Sequence, residues 1–251
     1  MHRILVDSAS LGRVVAELSK SSARHLHVIR PKDSEVIELF DGHGLKRIYR
    51  YEAIGDRLVA AGELEDFRAE RTKRRAVHLF ACVTKGSRWD WTIEKATELG
   101  ATKIIPVISE RTIVRLPKDE RKAKRARWLR IAEDASRQSS ALFIPEICEA
   151  VDFKEALEMV SETECFAGAL TDEPSEPLAS ALEGIALDDS RPIAAFIGPE
   201  GDFTPQELEE LLKRAKATNF GKLVLRAETA AIFALSAITA ILDKKISKRK
   251  R

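Results

Sequence analysis

"FIGPEGDFTPQELEELL" runs from Phe196 to Leu212. It reads as the end of an apolar strand, a tight Gly-Pro-Glu-Gly loop and the start of a helix. Thr204, Pro205 and Glu207 stand at N-cap, N1 and N3, the order of a capping box. A strand that feeds a helix in this way is a building block of a parallel α/β sheet. Ligands of such sheets sit at the carboxyl ends of the strands. The loop lacks the lysine and hydroxyl of a P-loop, and it lacks the G-x-G-x-x-G spacing of a dinucleotide fold. Its glycines let backbone approach a ligand closely and its proline stiffens the turn. That suits a flat, hydrogen-bonding ligand such as a nucleoside. A plain helix-entry turn would use the same glycines for backbone geometry alone.

The alternation extends outward from this stretch. "AVHLFACVT" (76–84) is a continuous apolar strand of the buried, parallel kind. "RWDWTIEKATELG" (88–100) follows as a helix stopped by Gly100, and "TKIIPVIS" (102–109) as a strand. A basic helix is predicted over 118–137, with Ala123, Ala126, Trp128, Leu129, Ile131 and Ala132 as its buried stripe. "ECFAGAL", "RPIAAFIG" and "KLVLR" (222–226) complete the strands, and the last helix, 228–242, is apolar all round and so expected to be buried. Residues 73–251 thus form an α/β domain with a parallel sheet, ending in a basic tail from about 244. Residues 1–72 differ. "SEVIELFDGHGLKRIYRYEAI" is a hairpin signal around 41–44, and "DRLVAAGELE" supplies another strand. Short strands between turns predict a small barrel or sandwich, and the charged run 68–75 marks the boundary.

Of 251 residues 33% are charged, and the charge is segregated. Residues 111–137 hold ten Lys/Arg against four Asp/Glu, while residues 151–220 hold five against sixteen. A basic stripe on an otherwise balanced chain points to nucleic acid, or to a solvated helix face. No apolar run reaches the ~20 residues of a membrane span, and no secretory h-region is present. Cys82, Cys148 and Cys165 are scattered, so neither a disulfide framework nor a zinc site is indicated, and no metal is expected. His25 and His27 lack a third ligand, and His43 and His78 read as structural.

Three loops could carry chemistry. The first is 198–201. The second is the opening of the last helix, with Arg226, Glu228 and Thr229. Glu228 could simply cap that helix. Arg226 fits a cap poorly, because a cation is disfavoured at the positive end of a helix dipole; it suits an anion or developing negative charge. The third comprises the cationic strand-end loops Lys85–Arg88 and Ser109–Thr112.

These motifs in this order resemble one family. "RHLHVIRPKDSEVIELFDGHG", "KGSRWDWTIEKATELGATKIIPVISERT", "RWLRIAEDASRQSS", "FIGPEGDFTPQELEEL" and "LVLRAETAAIFAL" are similar to successive signatures of the RsmE-type 16S ribosomal RNA uridine N3-methyltransferases of the SPOUT superfamily. The resemblance implies a PUA-like β-barrel for RNA over 1–72 and a SPOUT domain with a trefoil knot over 73–251. It also implies a cytoplasmic homodimer that takes S-adenosylmethionine as cofactor and 16S ribosomal RNA or the small ribosomal subunit as partner. The expected product is N3-methyluridine at position 1498 of that RNA. A SPOUT methyltransferase with another RNA target, and a non-catalytic ribosome-assembly factor, are the alternatives.

Carried over, the cofactor pocket is made by the strand end around Ala169 and Leu170, by Ile197, Gly198, Pro199, Glu200 and Gly201, and by the 220–230 segment with Phe220, Gly221, Leu225, Arg226, Thr229 and Ala230. Arg226 is expected to stabilise the uracil anion, with Glu228 the nearest carboxylate to act as base. RNA is expected to meet Arg24, Arg30, Lys85, Arg88, Arg111 and Arg137. Two departures stand out. Gln138-Ser139 is followed by Ser140-Ala141 where the family commonly has Gly-Arg, and Asp202 stands where a second glycine is common.

Overall fold

A computed structural model describes residues 1–61, 67–68, 74–168 and 175–249. Backbone contacts divide the chain into two compact units, 1–72 with 133–144, and 73–132 with 145–251.

The first unit contains β1 (His2–Leu5), α1 (Ser8–Leu11), α2 (Lys20–Ile29), β2 (Val36–Phe40), β3 (Leu45–Glu52), β4 (Arg57–Ala60) and β5 (Phe67–Arg68). The sheet runs β1-β2-β3-β4, with β5 on the first residues of β3. β1 pairs β2 in parallel and the other pairs are antiparallel. Among the described residues these pairings leave the sheet open, so no closed barrel is formed. Its core is Ile4, Leu26, Ile37, Leu39, Tyr49 and Leu58. Glu38 is buried within it and accepts from Arg3 Nε (2.6 Å) and Lys46 Nζ (2.8 Å). Burial alone would raise its carboxyl; the bonds from Lys46 and Arg3 outweigh that and hold it below the usual range.

Arg3 also donates to the carbonyls of Ser136 (2.8 Å) and Ala141 (3.2 Å), and Ile144 N donates to Gly42 O at 3.0 Å. Residues 133–144, which read in sequence as part of the α/β domain, therefore pack with the first unit. Gly42 has φ +75°, and a Cβ there would lie 2.6 Å from Ile144 Cδ1. The turn needs glycine on both counts.

The second unit contains β6 (Val77–Cys82), α3 (Ser87–Glu98), β7 (Lys103–Ile108), α4 (Lys118–Gln138, whose end lies in the first unit), β8 (Glu146–Ile147), β9 (Val151–Asp152), α5 (Phe153–Val160), β10 (Glu164–Gly168), β11 (Glu176–Pro177), α6 (Leu178–Glu183), β12 (Ile193–Ile197), α7 (Pro205–Leu212), β13 (Ala215–Asn219) and α8 (Ala227–Arg249). The strands run β11-β13-β10-β12-β6-β7-β8, with β9 also on β7, and every pairing is parallel. Phe80 and Phe196 stack at 5.5 Å in the core, and Phe153 and Phe203 close on them.

Three expectations need correction. "KLVLR" is not a strand: Ala215–Asn219 takes the place beside β10, and Leu223 and Val224 are 81% and 75% exposed in a loop. β-favouring side chains do not make a strand when a preceding segment already occupies the pairing edge. On α4, Ala123 and Ala126 are exposed, and the buried face is Arg121, Trp128, Ala132 and Ala135. Arg121 belongs inside because its guanidinium reaches Ala150 O (2.9 Å) and Asp152 (2.5 Å). α8 is not buried all round either, since Phe233 is 42% exposed and Thr229 and Ala240 are exposed. No helix among the described residues is long and apolar enough to cross a membrane.

Candidate functional site

β13, β10 and β12 are neighbours, and their carboxyl ends are in register: Gly168 stands beside Ile197 on one side and Thr218 on the other. The loops that leave β12 and β13 therefore emerge together. Between them lies a cavity of about 310 Å³. Of the expected residues, Ile197, Gly198, Pro199, Glu200, Phe220, Gly221, Leu225, Arg226 and Ala230 line it. Gly201 and Thr229 do not, and Ala169 and Leu170 lie outside the described residues. Asp202 lines it too, as do Leu223, Val224 and Ala227 of the expected 220–230 segment, while Gly168, Thr218 and Asn219 line it without having been expected to. Only strand register brings Gly168 and Thr218 to the site.

The wall is tightly built. The Phe220 ring lies over Gly168, where a Cβ would be 2.4 Å from Phe220 Cζ, and it packs on Phe233 of α8 at 5.4 Å. The capping box forms as the sequence predicts, with Glu207 N on Thr204 Oγ1 at 3.2 Å and Thr204 N on Glu207 Oε2 at 3.1 Å. Glu207 Oε1 also accepts from Glu110 N at 2.8 Å. Arg111 Nη1 donates to Gly201 O (3.1 Å) and Phe203 O (3.2 Å). Asp202 has φ +56°, and its Oδ1 accepts from Phe203 N at 2.8 Å. Ser140, the other departure from the family pattern, also has positive φ, +60°. Both stand in backbone that favours glycine.

The cations expected to meet RNA fall into two groups. Arg24, Arg30 and Lys85 are exposed. The others are engaged: Arg88 with Glu200 Oε1 at 3.3 Å, Arg111 with the loop carbonyls, and Arg137 half-buried against Asp134. Lys122, Lys124 and Arg130 of α4, on the basic helix that the charge pattern singles out, are exposed as well.

Arg226 sits at the mouth of α8, where its carbonyl accepts from Ala230 N at 2.8 Å. Its side chain is exposed and lines a second cavity, of about 580 Å³, with Ser87, Arg88, Trp91, Glu228 and Thr229. Arg226 is thus common to both cavities. Glu228 does not cap the helix: its Oε2 is buried and has no hydrogen-bond partner among the described residues. Neither buried thiols nor histidine compete for a chemical role. Burial pushes Cys82 up to about 12 and His78 down to about 4. Among the described residues no three His, Cys, Asp or Glu side chains converge as for a metal.

Comparison with known proteins gives this geometry its context. The RNA methyltransferase domain pattern matches residues 71–239. Ribosomal RNA small subunit methyltransferase E of Rickettsia conorii is 30% identical over 243 residues, 94% of each chain. The Bacillus subtilis protein of that name is 32% identical over 166 residues, 65% of each chain. The structure of ribosomal RNA small subunit methyltransferase E from Neisseria gonorrhoeae, bound to S-adenosyl methionine, superposes with a TM-score of 0.77 at 29% identity, covering 96% of this chain and 98% of that one. The chain belongs to the RNA methyltransferase family, among the proteins named ribosomal RNA small subunit methyltransferase E.

Proposed function

We propose that this chain transfers a methyl group from S-adenosylmethionine to N3 of a uridine in small-subunit ribosomal RNA. The observation that carries the proposal is the pair of cavities that meet at Arg226. The first fits the donor. Its walls are backbone and apolar side chains, the carboxylates of Glu200 and Asp202 suit a cationic ligand, and no lysine is present to bind phosphate. Gly168, the 198–201 loop and the 220–226 loop would hold the adenosine part. The bound donor supplies an electrophilic methyl group on a sulfonium. The chain's own task is mostly positioning. Uracil N3 carries a proton, and removing it leaves negative charge on O2 and O4. Arg226, exposed and with no partner among the described residues, faces that charge as an oxyanion donor does.

In the second unit the exposed cations of α4 and Lys85 supply RNA contacts; in the first unit, which serves as the PUA-like module, Arg24 and Arg30 do. The trefoil knot is inferred from the family resemblance. Exposed Leu223, Val224 and Phe233 offer the apolar face that a second copy would cover in a homodimer. Action on ribosomal RNA supports a cytoplasmic location.

Arg226→Ala is expected to lower methyl incorporation into small ribosomal subunits by about 100-fold or more while S-adenosylmethionine binds calorimetrically as before. Undiminished turnover would remove Arg226 from the mechanism. Absence of donor binding in the unmodified protein would end the proposal.

A further inference from the structure

We infer that the second cavity is the seat of the acceptor base, with Trp91 as its stacking platform and Glu228 as the group that receives the N3 proton. The inference rests on the methyltransferase reading and specifies its substrate side. Trp89 and Trp91 are two positions apart on α3, so they point to nearly opposite faces of the helix. Trp89 faces inward, 2% exposed and edge-on to Trp128 at 5.7 Å. Trp91 is consequently turned outward, 41% exposed, and its indole lines the cavity. An aromatic face beside cations is the usual arrangement for an unstacked base. Arg88 and Arg226 stand on the same cavity, and the first turn of α3 is capped by Gly86 with no side-chain bond, leaving amides for a phosphate.

Glu228 lines the same cavity and carries a buried oxygen without a donor. A buried acceptor left unpaired is disfavoured, and a ligand N–H satisfies it. Uracil offers such a donor at N3, whereas cytosine carries no hydrogen there. In the reaction the N3 proton passes to the Glu228 carboxylate and the N3–methyl bond forms. The methyl–sulfur bond breaks, and its electron pair stays on sulfur. Arg226, at the junction, holds the O2/O4 charge meanwhile.

The test uses the full chain with S-adenosylhomocysteine and short single-stranded oligouridylate or oligocytidylate. Trp89 and Trp128 are buried, so a fluorescence change on adding oligonucleotide reports on Trp91. Oligouridylate is expected to quench more than oligocytidylate, and Trp91→Phe to abolish the signal. With small ribosomal subunits, Trp91→Ala should raise KM about tenfold or more with kcat nearly kept, and Trp91→Phe should restore most of it. Glu228→Gln should lower kcat by about 100-fold or more and remove the rise of rate with pH that reports a catalytic base. An unchanged KM in Trp91→Ala, or an unchanged quench in Trp91→Phe, overturns the platform. An unaltered pH profile in Glu228→Gln overturns the base. Either result, in a protein whose unmodified form binds donor and methylates, leaves the wider reading intact; failure of the unmodified form would instead strike that reading.

Discussion

The loop after β12 and the loop after β13 leave adjacent parallel strands, and each enters a helix, yet they are held in different ways. The first is stabilised within its own unit. Thr204 and Glu207 cap α7 reciprocally, Arg111 grips two of its carbonyls, and Asp202 binds the next amide. The second has few such bonds. Leu223 and Val224 face outward, Arg226 occupies a cap position unsuited to a cation, and Glu228 keeps one buried oxygen unpaired. A loop whose polar groups are satisfied internally is a wall. A loop that leaves them open is built to be completed by ligands. Under the proposed function, this contrast separates the residues that shape the donor site from those that meet the reacting atoms.

Substitutions can break the contrast at graded cost. Gly168→Ala should have the largest effect on donor binding, because its methyl group would collide with the Phe220 ring that anchors the second loop. Overpacking of this kind costs about 1–3 kcal/mol, so calorimetry should show S-adenosylmethionine affinity falling by about tenfold or more. Arg111→Ala removes two bonds from the first loop. A loss of about 1 kcal/mol, or roughly fivefold in donor affinity, is expected, and an RNA affinity unchanged at fixed salt would show that Arg111 serves the loop rather than the phosphates. Thr204→Ala should lower stability by about 1 kcal/mol, a Tm drop of roughly 2–4 °C in a scanning melt, with donor affinity little altered. Asp202→Gly should be the smallest. It relieves a left-handed backbone but loses the bond to Phe203 N, so stability should stay within about 1 kcal/mol of the parent in a denaturant titration. A larger loss would mean that the carboxylate holds the loop more firmly than its backbone strain opposes.

The first loop was legible in sequence almost to the atom, since the 204–207 pattern specifies its own cap. The second was misread, because "KLVLR" has the composition of a strand and only the pairing of Ala215–Asn219 with β10 displaces it. The stripe of α4 was misplaced for a related reason. An arginine with a carbonyl and a carboxylate to bind can occupy a buried position that composition would give to alanine. Most residues that line the first cavity are among those the family resemblance names. Gly168 and Thr218 are not, since neither carries a chemical signature of its own.

What the sequence determined alone were the features set within a few residues: the β12–α7 unit, its capping box, the placing of Trp89 and Trp91 on opposite faces of one helix, and the segregation of charge. Local backbone preference, capping and helical period decide these, and each is written in adjacent side chains. Tertiary structure alone decided which segment became β13, that residues 133–144 pack with the first unit, and that Arg226 lines both cavities. Those outcomes depend on register between segments far apart in the chain. Hydrogen-bonded pairing and close packing select among partners that local propensity leaves equivalent.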